Sequence, residues 1–192
     1  LAVCDVALET KQVSEKIKEL YHQIYGRNWN KHVSMKFNEA DYDFWFKLNE
    51  KINDRFIDAG CYQGYAEQGD LLGSARRPYR NYDKMREYYL KGIEKNDPAS
   101  LGDYGYGLYF GVSGYGEMDK EKGLELVKRS KEVGYEVADL LLLLIDFYDK
   151  KDDDTLLQRI QEYNEKAKPN RKAYYILADY YLREGKMPEA IE

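Results

Sequence analysis

A chain of 192 residues with 43% hydrophobic and 34% charged side chains has the composition of a folded protein, which excludes a disordered one. Its net charge of −5 argues against a general nucleic-acid binder, which needs a basic face to displace counterions. No stretch approaches the ~20 consecutive apolar residues of a membrane span, and tyrosine is over-used, with 20 residues against 6 Phe and 2 Trp.

The pattern along the chain is helical. Val13, Ile17, Leu20, Tyr21 and Ile24 recur every three or four residues and predict a helix from Glu9 to Tyr25. Gly26 to Phe37 reads as a loop. Asn38 is a good N-cap for a second helix, striped by Phe44, Trp45, Leu48, Ile52 and Phe56. That helix breaks near Ala59-Gly60 and resumes to Gly69. Asp70 to Asn81, with Gly73, Pro78 and three arginines, reads as a loop. Helices are then predicted at Tyr82–Glu94 and Ala99–Phe110, separated by Asn96-Asp97-Pro98. After a loop from Gly111 to Met118 come Asp119–Val133, Glu136–Asp149 and Asp154–Lys168. Pro169-Asn170 separates these from a last pair, Arg171–Glu184 and Pro188 onward. No segment carries the period-two alternation of a strand. The expectation is an all-α chain of antiparallel helix pairs with short links.

Internal periodicity is the strongest signal. Tyr88, Lys91, Asn96 and Ser100 match Leu126, Arg129, Gly134 and Ala138 at an offset of 38 residues. Ala138-x3-Leu142 then matches Ala173-x3-Leu177-Ala178 at an offset of 35. On these residues the chain resembles the Sel1-like repeat family, a relative of the tetratricopeptide repeats. The best match is Ser100 to Gly134. Gly105, Gly111 and Val112 mark the first helix and its exit, and Asp119, Lys122, Gly123, Leu126, Arg129, Ser130 and Gly134 follow the second. Tyr88-Tyr89 stands at the family's Trp-Tyr pair, and Ala173, Leu177, Ala178, Tyr181, Gly185 and Ala190 look like a tetratricopeptide unit. Leu108, Leu143 and Asp146 depart from the pattern.

The resemblance implies a right-handed α-solenoid. Residues 1–56 would form an N-terminal helical cap, and residues 57–192 an array of units at about 57–97, 98–135, 136–170 and 171–192. It also implies a non-enzymatic scaffold or adaptor that binds a protein or peptide on its concave surface. Placed by the tetratricopeptide register, that surface holds Tyr106, Tyr109 and Phe110, then Leu144, Phe147 and Tyr148, then Asp179, Leu182 and Arg183. The rings are expected to be exposed and to leave the fold independent of them. The alternative is an accessory helical domain of a larger enzyme or secreted effector. Self-association through an open C-terminal repeat is a further expectation.

Motifs for chemistry are weak. His22 and His32 have no metal-site spacing, and the acidic run at Asp149 and Asp152 to Asp154 lacks the glycine of a calcium loop. Gly105-x-Gly107-x3-Gly111 misses the dinucleotide spacing and follows no strand, so close helix packing is the better reading. No nucleophile–base pair or cofactor motif can be assigned. Arg76, Arg77 and Arg80 around Tyr79 form a small basic patch, read as a solvated loop. Cys4 and Cys61 are too few for a disulfide framework. Localisation stays open between the cytoplasm and export or surface anchoring. Leu1-Ala2-Val3 before Cys4 is only faintly similar to the end of a lipoprotein signal.

Overall fold

The computed structural model describes residues 39–149 and 155–166. Among these the chain is all-helical: α1 Glu39–Asp58, α2 Gln63–Ser74, α3 Tyr82–Glu94, α4 Pro98–Phe110, α5 Lys120–Glu132, α6 Ala138–Tyr148 and α7 Leu156–Lys166. The predicted helices at Glu9–Tyr25 and beyond Pro169 lie outside the described residues, as do His22, His32, Cys4 and Asp152 to Asp154.

Local chemistry sets the boundaries. Asn81 and Asp119, 38 residues apart, cap α3 and α5 by accepting the backbone N–H of Lys84 at 3.0 Å and Lys122 at 2.9 Å. Asp97 does the same for Ser100 at 2.8 Å, with Pro98 in the first turn of α4. At the other ends, α1, α3 and α5 stop in the same way. Gly60, Asn96 and Gly134 take positive φ values of 80°, 54° and 90°. The next N–H reaches back to the last turn: Cys61 to Phe56, Asp97 to Gly92 and Tyr135 to Ser130, at 2.8, 2.9 and 2.9 Å. These are Schellman-type stops, where a residue without a Cβ, or an Asn, tolerates the left-handed backbone.

Two expectations are corrected here. Phe44 does not belong to the buried stripe of α1; it is 69% exposed, and Tyr42, Trp45, Phe46, Asn49, Ile52, Asn53 and Phe56 are the buried residues. The predicted loop at Asp70 begins too early. The helix runs on to Ser74 because Leu71 and Leu72 bury fully against its neighbours.

Each helix packs on its neighbours in sequence, and α2 also meets α4, as α4 meets α6. Two core clusters result. Tyr42, Trp45, Leu71, Met85, Tyr89, Leu101 and Tyr104 anchor the first. Val127, the run Leu140 to Ile145 with Leu142 at its edge, Leu156 and Ile160 anchor the second. Each fully buried large apolar side chain contributes roughly 1.5–3 kcal/mol. The clusters meet at the α4–α5 pair, the most extensive contact in the molecule. There a Cβ on Gly105 would lie 2.8 Å from the Gly123 carbonyl oxygen and 2.8 Å from the Leu126 Cβ. A Cβ on Gly123 would lie 2.7 Å from both the Gly105 carbonyl oxygen and the Tyr109 nitrogen. Backbone therefore touches backbone, and the glycines serve helix packing.

Candidate functional site

The first candidate surface is the aromatic one predicted on α4 and α6. Tyr106 and Phe110 pack with tilted rings at 4.7 Å between centroids, Tyr109 meets Phe110 at 5.0 Å, and Phe110 meets Tyr148 edge-on at 5.7 Å. Phe147 lies 5.3 Å from Tyr148. All five predicted aromatics therefore join in one group. Their exposure divides them. Tyr109 and Phe147 are each 3% exposed and Leu144 8%, so these three are core and not a free floor. Tyr106 and Phe110 are half-buried, and Tyr148 is 50% exposed. Asp179, Leu182 and Arg183 lie outside the described residues.

The physical reason is register. Apart from Pro98 in the first turn, the residues of α4 that reach solvent are Asp103, Tyr106 and Phe110. On α6 they are Asp139, Leu142, Asp146 and Tyr148. The solvent-reaching positions thus recur after 36 residues, whereas the capping residues of α3 and α5 recur after 38. Leu142 is therefore the counterpart of Tyr106 and sits at the surface. The counterpart of the packing residue Tyr104 is Leu140, which is fully buried. A register carried across from Tyr104 to Leu142 places Leu144 and Phe147 outward, and they face in.

Tyr109 shows what its hydroxyl does instead. It donates to the carboxylate of Asp149, whose other oxygen accepts from the Lys120 ammonium at 2.8 Å. The same ammonium lies 5.1 Å over the Tyr109 ring. Burial and then the Asp149 bond push this phenol up to about 12.

A second group of tyrosines links α2, α3 and α4. Tyr89, Tyr104 and Tyr115 pack with centroids 5.6 to 5.8 Å apart. Tyr89 donates to Asp70 at 2.5 Å, and Tyr135 to both oxygens of Asp103 at 2.9 and 3.0 Å. The Tyr135 ring lies against Gly102 and the Tyr115 ring against Gly107, so these glycines make room for rings. Burial and the nearby carboxylates of Asp70 and Asp103 hold the phenols of Tyr89, Tyr115 and Tyr135 well above their ordinary range; Tyr115 is pushed to about 12. All stay neutral near pH 7, acting as donors rather than as bases. Much of the tyrosine excess is thus accounted for: a large ring fills space while its hydroxyl reaches a carboxylate at the edge.

The three arginines of the basic patch are exposed, as a solvated loop requires, while the loop itself is tethered. The Tyr79 hydroxyl donates to Asp43 at 2.7 Å, and its ring lies 4.8 Å from Phe46. The Arg76 N–H donates to the Tyr42 hydroxyl at 2.8 Å, and its guanidinium lies 5.0 Å over that ring. Arg80 donates to the Ala75 carbonyl at 2.8 Å. The loop between α2 and α3 is pinned to α1.

A cavity of about 470 Å³ opens between α6 and α7, with Leu142, Leu143 and Tyr163 in its wall and Arg159, Asp139 and Lys131 among its charged lining. Lys131 pairs with Asp139 at 2.7 Å and Arg159 with Asp146 at 2.8 Å.

No helix among the described residues is long and apolar enough to cross a membrane. Compared with models of known protein families the chain matches none, and it matches no curated protein. Sequence reasoning missed Asp70 and Asp103 as surface residues. For Asp103 the signal that could have found it is the recurrence of carboxylates 36 residues apart at Glu67, Asp103 and Asp139; Asp70, whose counterparts are Tyr106 and Leu142, left no such signal.

Proposed function

We propose that this chain is a non-enzymatic interaction scaffold, an α-solenoid of Sel1-like helix pairs that binds a peptide or protein segment across α2, α4 and α6. The observation that carries the reading is the repetition of one building unit. The pairs α2–α3 and α4–α5 close on second helices with matching caps at Asn81 and Asp119 and matching stops at Asn96 and Gly134. One helix of each unit then meets its counterpart in the next, α2 with α4 and α4 with α6. A unit of this kind leaves its apolar face open until a neighbour covers it. The half-exposed rings of Tyr106, Phe110 and Tyr148 supply rigid contact area at low entropic cost.

The test is a Tyr106→Ala, Phe110→Ala variant of the full chain. Random dodecapeptides displayed on phage are selected on the wild-type protein, and the best are synthesised for fluorescence anisotropy. The variant is expected to keep its helical spectrum and lose roughly 2 kcal/mol or more of binding, about 30-fold in affinity. Full affinity in the folded variant, or unfolding at room temperature, overturns the site.

A further inference from the structure

Arg76, Arg77 and Arg80 sit together on the loop between α2 and α3, apart from the aromatic surface of α4 and α6. All three are exposed, and the stretch from Leu71 to Tyr82 holds no aspartate or glutamate. The carboxylates that bracket it are engaged: Asp70 accepts from Tyr89, and Asp83 pairs with Arg86. On α1, Asp43 accepts from Tyr79 at 2.7 Å and pairs with Lys47 at 2.8 Å. Lys47, Arg86, Lys91, Lys120, Lys131 and Arg159 each have a carboxylate partner. Among the described residues, none of the three loop guanidiniums has one, in a chain with 35 acidic against 30 basic side chains.

The loop that carries them is fixed. The Asn81 N–H reaches the Leu72 carbonyl at 3.1 Å, and the N–H groups of Tyr79 and Arg80 both donate to the Arg76 carbonyl, at 2.9 and 3.2 Å. The backbones of residues 76 and 80 therefore meet across one tight turn. Arg80 spends its Nε on the Ala75 carbonyl at 2.8 Å, and the Arg76 guanidinium lies over the Tyr42 ring. The first contact leaves the terminal N–H groups of Arg80 open, and the second uses the charge of Arg76 rather than its donors. Arg77 forms no side-chain hydrogen bond or ion pair among the described residues. A ligand would find these donors on a loop that binding need not order.

We propose that Arg76, Arg77 and Arg80 form a binding site for a phosphate monoester carried on a protein segment, a phosphoserine or phosphothreonine. Three guanidiniums without a carboxylate beside them concentrate positive charge at one turn. A carboxylate brings one negative charge and two oxygens. A phosphate monoester brings nearly two charges and three oxygens, so it meets more than one planar fork at once. Arginine rather than lysine at all three positions fits that geometry. A nucleic acid asks instead for a basic stripe along many phosphates, and this patch is a single turn on a chain of net charge −5. The site lies on a different element from Tyr106 and Phe110, so it goes beyond the scaffold reading and stands apart from it.

The experiment uses the full chain at about 150 mM salt, where long-range attraction is screened. The probe is a labelled peptide library with one central phosphoserine and randomised flanks, read by fluorescence anisotropy. Libraries with serine or glutamate at the centre, inorganic phosphate and a short single-stranded RNA are the comparisons. The phosphoserine library is expected to bind about 10-fold or more tighter than either other library. Arg77→Glu removes no contact within the fold, so it should keep the melting temperature and abolish that preference. Arg77→Gln, which removes the charge without reversing it, should act in the same direction. Equal binding of the three libraries, or a preference that survives both folded variants, overturns the site. Inorganic phosphate that competes as well as the phosphopeptides, or RNA that binds more tightly than they do, overturns the protein segment as its ligand. Tyr106→Ala, Phe110→Ala is expected to keep the preference, so the failure of either surface leaves the other standing.

Discussion

The α4–α5 crossing and the α1–α2 interface achieve close helix packing by opposite chemistry. At α4–α5 the contact point is backbone against backbone with the Leu126 Cβ beside it: Gly105 and Gly123 let the two helices meet, and the fit is one of shape. At α1–α2 the buried layer is polar. Asn49, Asn53 and Gln68 are all nearly inaccessible, and the Asn53 amide donates to Gln68 at 2.9 Å. Asn49 donates to the Trp45 carbonyl at 2.7 Å. A glycine contact cannot slide because any shifted register brings a Cβ into backbone. The Asn53–Gln68 pair cannot slide because a shifted register leaves a buried donor and acceptor unmatched. The first device tolerates no added volume; the second tolerates volume and requires complementarity.

Alkaline titration should produce the largest effect and separate the two regions. The α4 side carries Tyr89, Tyr109, Tyr115 and Tyr135, whose folded-state phenols titrate above the unfolded value of 10. Their contribution is complete below pH 10; that of Tyr109 and Tyr115 is lost as pH rises through about 12, and that of Tyr89 and Tyr135 only as pH rises further, because the unfolded chain gives up those protons first. The amides of α1–α2 do not titrate in this range. Helix content by circular dichroism should collapse near pH 12 together with late phenolate absorbance at 295 nm. Smooth ionisation of all 20 tyrosines near pH 10 with helix intact would contradict this.

Gly105→Leu comes next. Overpacking against backbone that cannot yield should cost about 3 kcal/mol, or about 6–12 °C of melting temperature for a chain of this size. An unchanged melting point would show that the crossing is not held by shape. At the polar interface, Asn53→Leu leaves Gln68 without that donor and should cost about 1–3 kcal/mol. Adding Gln68→Leu should recover most of it, a coupling that a double-mutant cycle reads directly. No recovery would mean that the amides do not act as a pair. The smallest effect belongs to a site outside both interfaces. Gly134→Ala places a Cβ on a residue with φ of 90° in otherwise open space, so the cost of about 1 kcal/mol is backbone strain alone.

What could be read from the chain follows the range of each interaction. Helix ends were legible because capping is local. Tyr82–Glu94 is found with the bounds read from the sequence, behind an Asn81 cap, and α5 lies between Asp119 and Gly134. The glycine crossing was legible in kind, since a run of glycines within a helical pattern with no strand before it has few other uses. The last turn of α2 was not, because Gly73 and the arginines beyond it look like a loop until Leu71 and Leu72 are seen buried between helices. The candidate surface was half legible. The aromatic group around Phe110 is there, but exposure of Tyr109 and Phe147 depends on the axial placement of α6 against α4. That placement is settled by packing between units and leaves no mark on either helix alone. Phe44 failed for the same reason, since its place in a periodic stripe says nothing about which neighbour covers the stripe.

The glycine crossing has a mechanical consequence. Two backbones in direct contact have no rotamers between them to rearrange, so the α4–α5 pair responds to load as one stiff block. The contacts from α3 to α4 and from α5 to α6 are much smaller than the contact within the pair. Compliance therefore concentrates at the links through Asn96 and Gly134. Under tension the chain bends there as a row of rigid plates bends at its joints, and the spacing between the faces of α2, α4 and α6 is what such bending adjusts.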